Sequence, residues 1–448
     1  MNSQILIKNI WLCKINEREI NPIFCDLIID KDTITSIVEK DWSKFLAAEK
    51  YSSEISSEID IYDGGGKVAT VPMINFHDHI YSRLAKGLKV KNNTPTFHSI
   101  LKELWWKLDT VLDEDMIRAS ALMAGIESIR NGVTYIFDHH SSQSKIKSSL
   151  KIIAEELSKF GLYGTICFET TDRNGTESSN LAIEENLEFI HSGWKNFKGM
   201  FGIHASFTVS DKTLENISRH LKNYETGIHI HLCEDEVDRK ISKKSFDASP
   251  IQRLVDFNLL NSKSILAHGI YVKRKEFDII SEYGASIALN PDSNLNNAVG
   301  IPAFHKINPN ISILSGTDGM HANVAKTYKQ IFLLARHSGL NFNDAFSFVK
   351  KVYFNGIDFV QKYFPDFTKL DEYQKANLVI WDYSPTNYLD RENFWGHFIY
   401  GLTERYPISV IQDGKFLMKD NKLLFDEQNI LREIIIQGRR LKEAFENL

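Results

Sequence analysis

The chain has 448 residues, 43% of them hydrophobic and 25% charged, with a formal net charge of −5. Acidic and basic residues are interspersed, which argues against a nucleic-acid or membrane-surface partner. The four cysteines, Cys13, Cys25, Cys167 and Cys233, are far apart and form no Cys-x-x-Cys pair, so no disulfide framework is expected and a cytoplasmic location fits.

The N-terminal stretch is broken by Lys8 and Lys14 before a signal-peptide core can form, and no apolar run is long enough to cross a bilayer. Ile5 to Trp11 alternates as a strand does, and Asp26 to Val38 reads as a hairpin turning at Lys31-Asp32. Residues 40 to 60 are polar and read as a surface excursion ahead of a turn at Gly64-Gly65-Gly66.

From residue 68 apolar strands alternate with amphipathic helices, the pattern of a parallel sheet with crossover helices. Strand ends fall near Ile74, Phe137, Phe168, Ala205, Leu232, Ala267, Leu289 and Leu314, and eight units over about 300 residues predict an α/β (β/α)8 barrel. Asp113 is the expected N-cap of one connecting helix; Gly132, Gly161, Gly284 and Gly339 are expected stops. Strand patterns return at Ala376 to Trp381 and Ile408 to Leu424, with turns at Asp413-Gly414 and Asp420-Asn421, before a final surface helix near 428 to 445. The expected organisation is therefore 1–67 and 371–448 as the two parts of a composite β-sandwich, the latter carrying the final helix, with the barrel over 68–370.

The residues at the strand ends carry the chemistry. They are His77 and His79; Asp138, His139 and His140; Glu169; His204; His231 and Glu234; His268; Asn290; and Asp318. In a barrel these ends share one rim, where active sites lie. His77 and His79 stand at i and i+2, so a strand points both to one face as two metal ligands, while Asp78 between them points away. His229 and His231 share a strand face, and spacing alone leaves open which of them is a third ligand; Asp318 supplies a carboxylate. Three histidines and an aspartate leave a position for water on zinc or iron. Glu234, three residues past His231, is placed to move protons between that water and a leaving nitrogen, and a metal lowers the water's pKa towards about 7. Trp105 and Trp106 are candidates to stack on a planar substrate, and Asn290 is a candidate substrate contact after strand seven. Phosphate-loop, H-E-x-x-H and P-C-x-x-C motifs are absent.

These residues resemble the amidohydrolase superfamily, in its cytosine deaminase, guanine deaminase and chlorohydrolase (ATZ/TRZ-like) branch. Leu104 to Leu112, Gly132 to His140, Cys167-Phe168-Glu169 with Asp172 to Gly175, Gly202 to Ser210, Asn290 to Gly300 and Gly316 to Met320 are similar to SsnA-type aminohydrolases. The resemblance covers nearly the whole chain. It implies a distorted barrel with a composite sandwich and one divalent metal ion per chain, zinc ahead of iron, on His77, His79, His231 and Asp318. It gives acid/base work to Glu234, and His268 matches the histidine that orients the attacked atom or the water. His204 matches a substrate-contacting position; the lysine that bridges two metals in binuclear members is missing there, which implies a mononuclear site. Many relatives read His-Asn-Pro-x-Ser-Asn after strand seven where this chain reads Leu289-Asn290-Pro291-Asp292-Ser293-Asn294, so the pocket differs at that point.

The expected activity is metal-dependent deamination of a small nitrogen heterocycle, purine-like or pterin-like, with release of ammonia. The alternatives are hydrolysis of a cyclic amide or another C–N or C–Cl bond by the same site, or a catalytically silent binding or assembly protein. The expected partner is a small molecule, with a homodimer as a family-level expectation.

Overall fold

The computed structural model describes residues 4–47, 59–90 and 94–448. Most of the polar excursion expected at 40 to 60 lies outside the described residues; ahead of it Trp42–Ala47 forms a short helix. By its contacts the chain divides into two units, one of residues 1–73, 128–134 and 360–426, the other of residues 74–127, 135–359 and 427–448.

The first unit is built on one nine-stranded sheet. Gln4–Asn16 pairs antiparallel with Glu19–Asp30, which pairs with Thr33–Glu39 across the expected Lys31-Asp32 turn, where Lys31 takes φ 56°. Val68–Thr70 lies between Gln4–Asn16 and Leu378–Trp381, so strands from both ends of the sequence share the sheet. Trp381 secures that junction by donating its indole proton to Thr70 Oγ1 at 2.9 Å. Pro407–Gln412 and Lys415–Lys419 extend the sheet around a turn where Asp413 takes φ 48°.

Most residues of the remaining strands, all parallel, lie in the second unit. Met73–Asp78, Val133–His140, Tyr163–Phe168 and Phe197–Gly199 form one bonded set; Phe201–Ala205, Ile228–Leu232, Ile265–His268, Ser286–Leu289 and Ser312–Ser315 form the other. The fourth strand is interrupted at Met200, so nine segments fill eight positions. Isolated parallel bridges join the sets at both seams, Thr170 with Ile203 and Asp78 with Asp318. This is the barrel topology that the alternation predicts, although the first strand runs on to Asp78. Asp113 Oδ1 accepts from Met116 N at 3.0 Å as the cap of the helix Glu114–Arg130, and Gly132, with φ 70°, follows its end.

The final helix, Glu427–Glu446, groups by its contacts with the second unit, whereas the sequence boundary at 371 placed it with the C-terminal strands. Ile434, Leu441 and Phe445 form the buried stripe that packs it, with contacts on the turn Ile80–Ala85. Among the described residues no helix is long and apolar enough to cross a membrane.

Candidate metal centre and active site

Three of the strand ends that face the site close on a residue in the left-handed region: Cys233 at φ 49°, His268 at φ 74° and Asp318 at φ 55°. Non-glycine residues hold that conformation only where their surroundings enforce it. After Ile228–Leu232, the Cys233 amide donates to Asp238 Oδ2 at 2.7 Å and Asp235 caps the helix Glu236–Phe246, so Glu234 is fixed between strand and helix. After Ser312–Ser315, the amides of Thr317 and Asp318 both donate to the His77 carbonyl, at 3.0 and 2.9 Å. A Cβ on Gly316 would lie 2.3 Å from Asn290 Oδ1 and 2.8 Å from His77 Cβ, so only glycine lets these strands approach.

His77, His79, His231 and Asp318 converge. His79 Nδ1 donates to the His139 carbonyl and His231 Nδ1 to the His204 carbonyl, both at 2.7 Å. The other nitrogen of each ring therefore presents a lone pair. These two Nε2 atoms nevertheless stand 3.0 Å apart, and His79 Nε2 is 3.0 Å from Asp318 Oδ1. His77 Nε2, 3.6 Å from the same oxygen, is buried and finds no hydrogen-bond partner among the described residues. Ring nitrogens and a carboxylate oxygen converging at such distances suit a shared cation. Ligands about 2.0–2.1 Å from a tetrahedral ion lie about 3.3 Å from each other, and the spacings here bracket that value. The residues thus fit a divalent ion.

The electrostatics agree. Burial opposes charge on His79, but Asp318 beside it overcomes this and raises its pKa to about 9. Burial likewise opposes ionisation of Asp318, yet His79 holds its carboxyl well below the usual range. His77 and His231 are pushed well below the ordinary histidine value, first by burial and then by neighbouring histidines, His79 foremost, so they are neutral donors. The centre thus sets one carboxylate beside His79, which it draws towards the charged form, and beside His77 and His231, which are held neutral. Asp78 points away from it and pairs with the buried Arg83 at 2.7 Å, as strand alternation predicts.

Glu234 and His268 stand beside this cluster. His268 Nδ1 donates to Asn294 Oδ1 at 2.8 Å, which turns Nε2 towards Glu234 Oε2 at 3.5 Å and Asp318 Oδ2 at 3.9 Å. Burial raises the Glu234 carboxyl to about 7, with His268 the chief opposing influence. Asn297 Nδ2 donates to its other oxygen at 3.3 Å, and Ser293 Oγ donates to Asp318 Oδ2 at 2.5 Å.

A cavity of about 780 Å³, counting its open mouth, lies over the cluster and is lined by His79, His231, Glu234 and Asp318. Trp105, Trp106 and His204 are on its wall, where Trp106 packs with Phe97, Leu101 and Val299. Asn290 is placed differently. It is fully buried, with Nδ2 donating to the Ala288 carbonyl at 3.3 Å, and packs beside His268 rather than on the cavity wall.

Asp109 and Glu169 also line the cavity, and Arg173 behind them joins the two; no motif in the sequence marks a role for these three. Arg173 Nη2 donates to Glu169 Oε1 at 2.9 Å and Asp109 Oδ2 at 3.2 Å, and its guanidinium lies 4.6 Å from the centre of the Trp106 ring. Burial lifts Glu169 to about 7 and Asp109 to about 6 against the pull of Arg173. Glu169 stands at a strand end; the pairing of Arg173 with Asp109 joins positions 64 apart and leaves no local pattern.

Residues 70–417 match the Amidohydrolase family. The chain is 27% identical over 384 residues to the 5-methylthioadenosine/S-adenosylhomocysteine deaminase of Dictyoglomus thermophilum, covering 83% of this chain and 87% of that one. It is 25% identical over 417 residues to the 5'-deoxyadenosine deaminase of Methanobrevibacter smithii, covering 88% and 92%. Among solved structures it is similar to an adenosine deaminase from Xanthomonas campestris with bound zinc, at a TM-score of 0.81, 16% identity and 99% coverage of both chains.

Proposed function

The chain belongs to the amidohydrolase family, and we propose that it is a metal-dependent aminohydrolase that replaces an exocyclic amino group of a purine-like heterocycle with oxygen, releasing ammonia. The observation that carries this reading is the meeting of His77, His79, His231 and Asp318 beside Glu234 and His268 under one cavity. The relatives named as deaminases of adenosine-like nucleosides support a purine-type ring as the substrate class.

One zinc ion per chain is proposed on those four residues. Such an ion supplies positive charge that lowers the pKa of a water towards about 7. Glu234 takes one proton from the attacking water and gives it to the departing amino nitrogen, so ammonia leaves, while the oxygen's second proton passes to the ring nitrogen and a carbonyl remains. A carboxyl near 7 suits both transfers, because neither protonation state is far from the working pH. His268, held by Asn294, faces both Glu234 and Asp318 and orients the attacked atom. Trp105, Trp106 and His204 hold the ring plane, and Asp109 and Glu169, held by Arg173, form the polar wall that reads its edge.

The test is ammonia release from the zinc-loaded protein with purines, purine nucleosides, pterins and pyrimidines. Glu234→Gln is expected to keep the metal and lose turnover by about 100-fold or more. Ring opening without ammonia, or unchanged turnover in the variant, would overturn the reading.

A further inference from the structure

Two residues before His231 on the same strand, His229 is fully buried and its Nε2 lies 2.9 Å from His77 Nδ1. The ring centres are 5.0 Å apart and the planes are inclined at 61°, an edge-on approach suited to one N–H···N bond. Which ring donates is settled by what His77 does with its other nitrogen. A His77 that offers Nε2 to a cation carries its proton on Nδ1, and His229 Nε2 must accept that proton. The His229 proton is then on Nδ1, which is buried and has no hydrogen-bond partner among the described residues. In the opposite arrangement His229 Nε2 donates, the His77 proton moves to Nε2, and the ring closes itself to a metal. The pair thus has one metal-accepting and one metal-refusing tautomer.

We propose that His229 is the positioning residue of the metal centre, its Nε2 accepting the His77 Nδ1 proton and so fixing the tautomer and ring angle in which His77 binds metal. This rests on the reading of His77 as a ligand. The outer partner of a ligating histidine is ordinarily a carboxylate, carbonyl or water. His79 and His231 follow that habit with the carbonyls of His139 and His204. His77 is the exception, because its partner can turn from acceptor to donor. A neutral imidazole there adds no negative charge, so Asp318 remains the one anionic ligand and a bound divalent ion keeps a net positive charge.

The orphaned His229 Nδ1–H bears on the direction of the effect. Only a stronger interaction elsewhere keeps a buried donor unsatisfied, and the one interaction this tautomer permits that the other forbids is His77 on metal. His139 crowds the same ring from the side, its centroid 4.9 Å away, with its Nε2 3.1 Å from the His229 carbonyl. The His229 ring is therefore held in place, and its contribution is the choice of proton position.

The test uses the full chain and reads zinc affinity by chelator competition, with the cobalt(II) electronic spectrum as a report on ligand geometry. His229→Leu, which fills the space without accepting a proton, is expected to weaken zinc binding by about 10- to 100-fold and to alter the cobalt spectrum. His229→Gln, whose amide oxygen can accept the same proton, is expected to recover most of that loss. A folded His229→Leu variant with wild-type zinc affinity and an unchanged cobalt spectrum overturns the inference alone, whereas a wild type that binds neither ion overturns the ligand reading beneath it. If the leucine variant does not fold, nitrogen-15 spectra of the zinc-loaded wild type decide: a proton on His229 Nδ1 is expected, and a proton on its Nε2 overturns the inference.

Discussion

Asp138 shows how much a single buried proton weighs in this structure. Its Oδ1 accepts from the Ile80 amide at 2.8 Å, while Oδ2 is buried with no partner among the described residues. Burial raises the carboxyl to about 7, and Asp78 adds to the effect. An unfolded aspartate ionises near pH 4. The native state therefore holds a proton that the unfolded chain releases, and stability falls as pH rises between about 4 and 7. Asn at this position keeps the acceptor for Ile80 and cannot titrate. Asp138→Asn is expected to gain on the wild type by roughly 2 kcal/mol between pH 5 and pH 8 in urea denaturation; a gap that does not change with pH would refute this. The choice between His229 and His231 is another matter decided by single residues. Both stand on one strand face, so period two cannot separate them, and only depth does: His229 Nε2 meets His77 Nδ1, while His231 Nε2 meets His79 Nε2.

At the scale of elements, the barrel strands were legible because all but one, which stops at Asn290, are short apolar runs that stop at a charged or imidazole residue. Helix ends were legible where glycine takes positive φ, as at Gly161 and Gly284. The interruption of the fourth strand at Met200 was not, since Phe197 to Ala205 reads as one apolar run and the break depends on which neighbour each half bonds. The π-helical turn Leu101–Trp105 was hidden for a related reason: its i to i+5 bonding leaves the apolar pattern intact while turning Trp105 and Trp106 towards the cavity. The seam between first and last strands gives a test at this scale. Asn75 Oδ1 accepts from the Thr317 amide at 3.1 Å and Asn75 Nδ2 donates to Thr317 Oγ1 at 2.7 Å, directly beside Gly316. The methyl group of Gly316→Ala must push the chain off Asn290 and His77. The expected cost is about 1–3 kcal/mol in stability, with weaker zinc binding because His77 and Asp318 move apart. Wild-type stability and zinc affinity in this variant would show that the seam tolerates separation.

For the whole molecule, the barrel was legible from the sequence, because seven of eight strand ends carry histidines or acids, which make sense together on a shared rim. Its energetic consequence was not legible, since it depends on distances of a few ångströms between residues as far apart as 77 and 318. The strands that carry His77, His79, His231 and Asp318 lie far apart in sequence, and they bring two imidazole nitrogens to 3.0 Å of one another and leave a buried His77 Nε2 without a hydrogen-bond partner among the described residues. An ion that binds only the folded arrangement couples these strands and stabilises the fold by mass action, by about 4 kcal/mol when it is present at 1,000 times its dissociation constant. Removal of divalent metal by a chelator is therefore expected to lower the melting temperature by several degrees as well as to abolish turnover, with zinc restoring both. The restored increment should grow with the logarithm of free zinc concentration, as linkage requires. His231→Ala is expected to lose that dependence, since with one of the four donors gone the remaining three no longer hold the strand Ile228–Leu232 to the first strand through a common ion. Equal melting temperatures for the chelated and zinc-loaded wild type would mean that the cluster is held together by protons on His79 and its neighbours, and the metal reading would fall with that result.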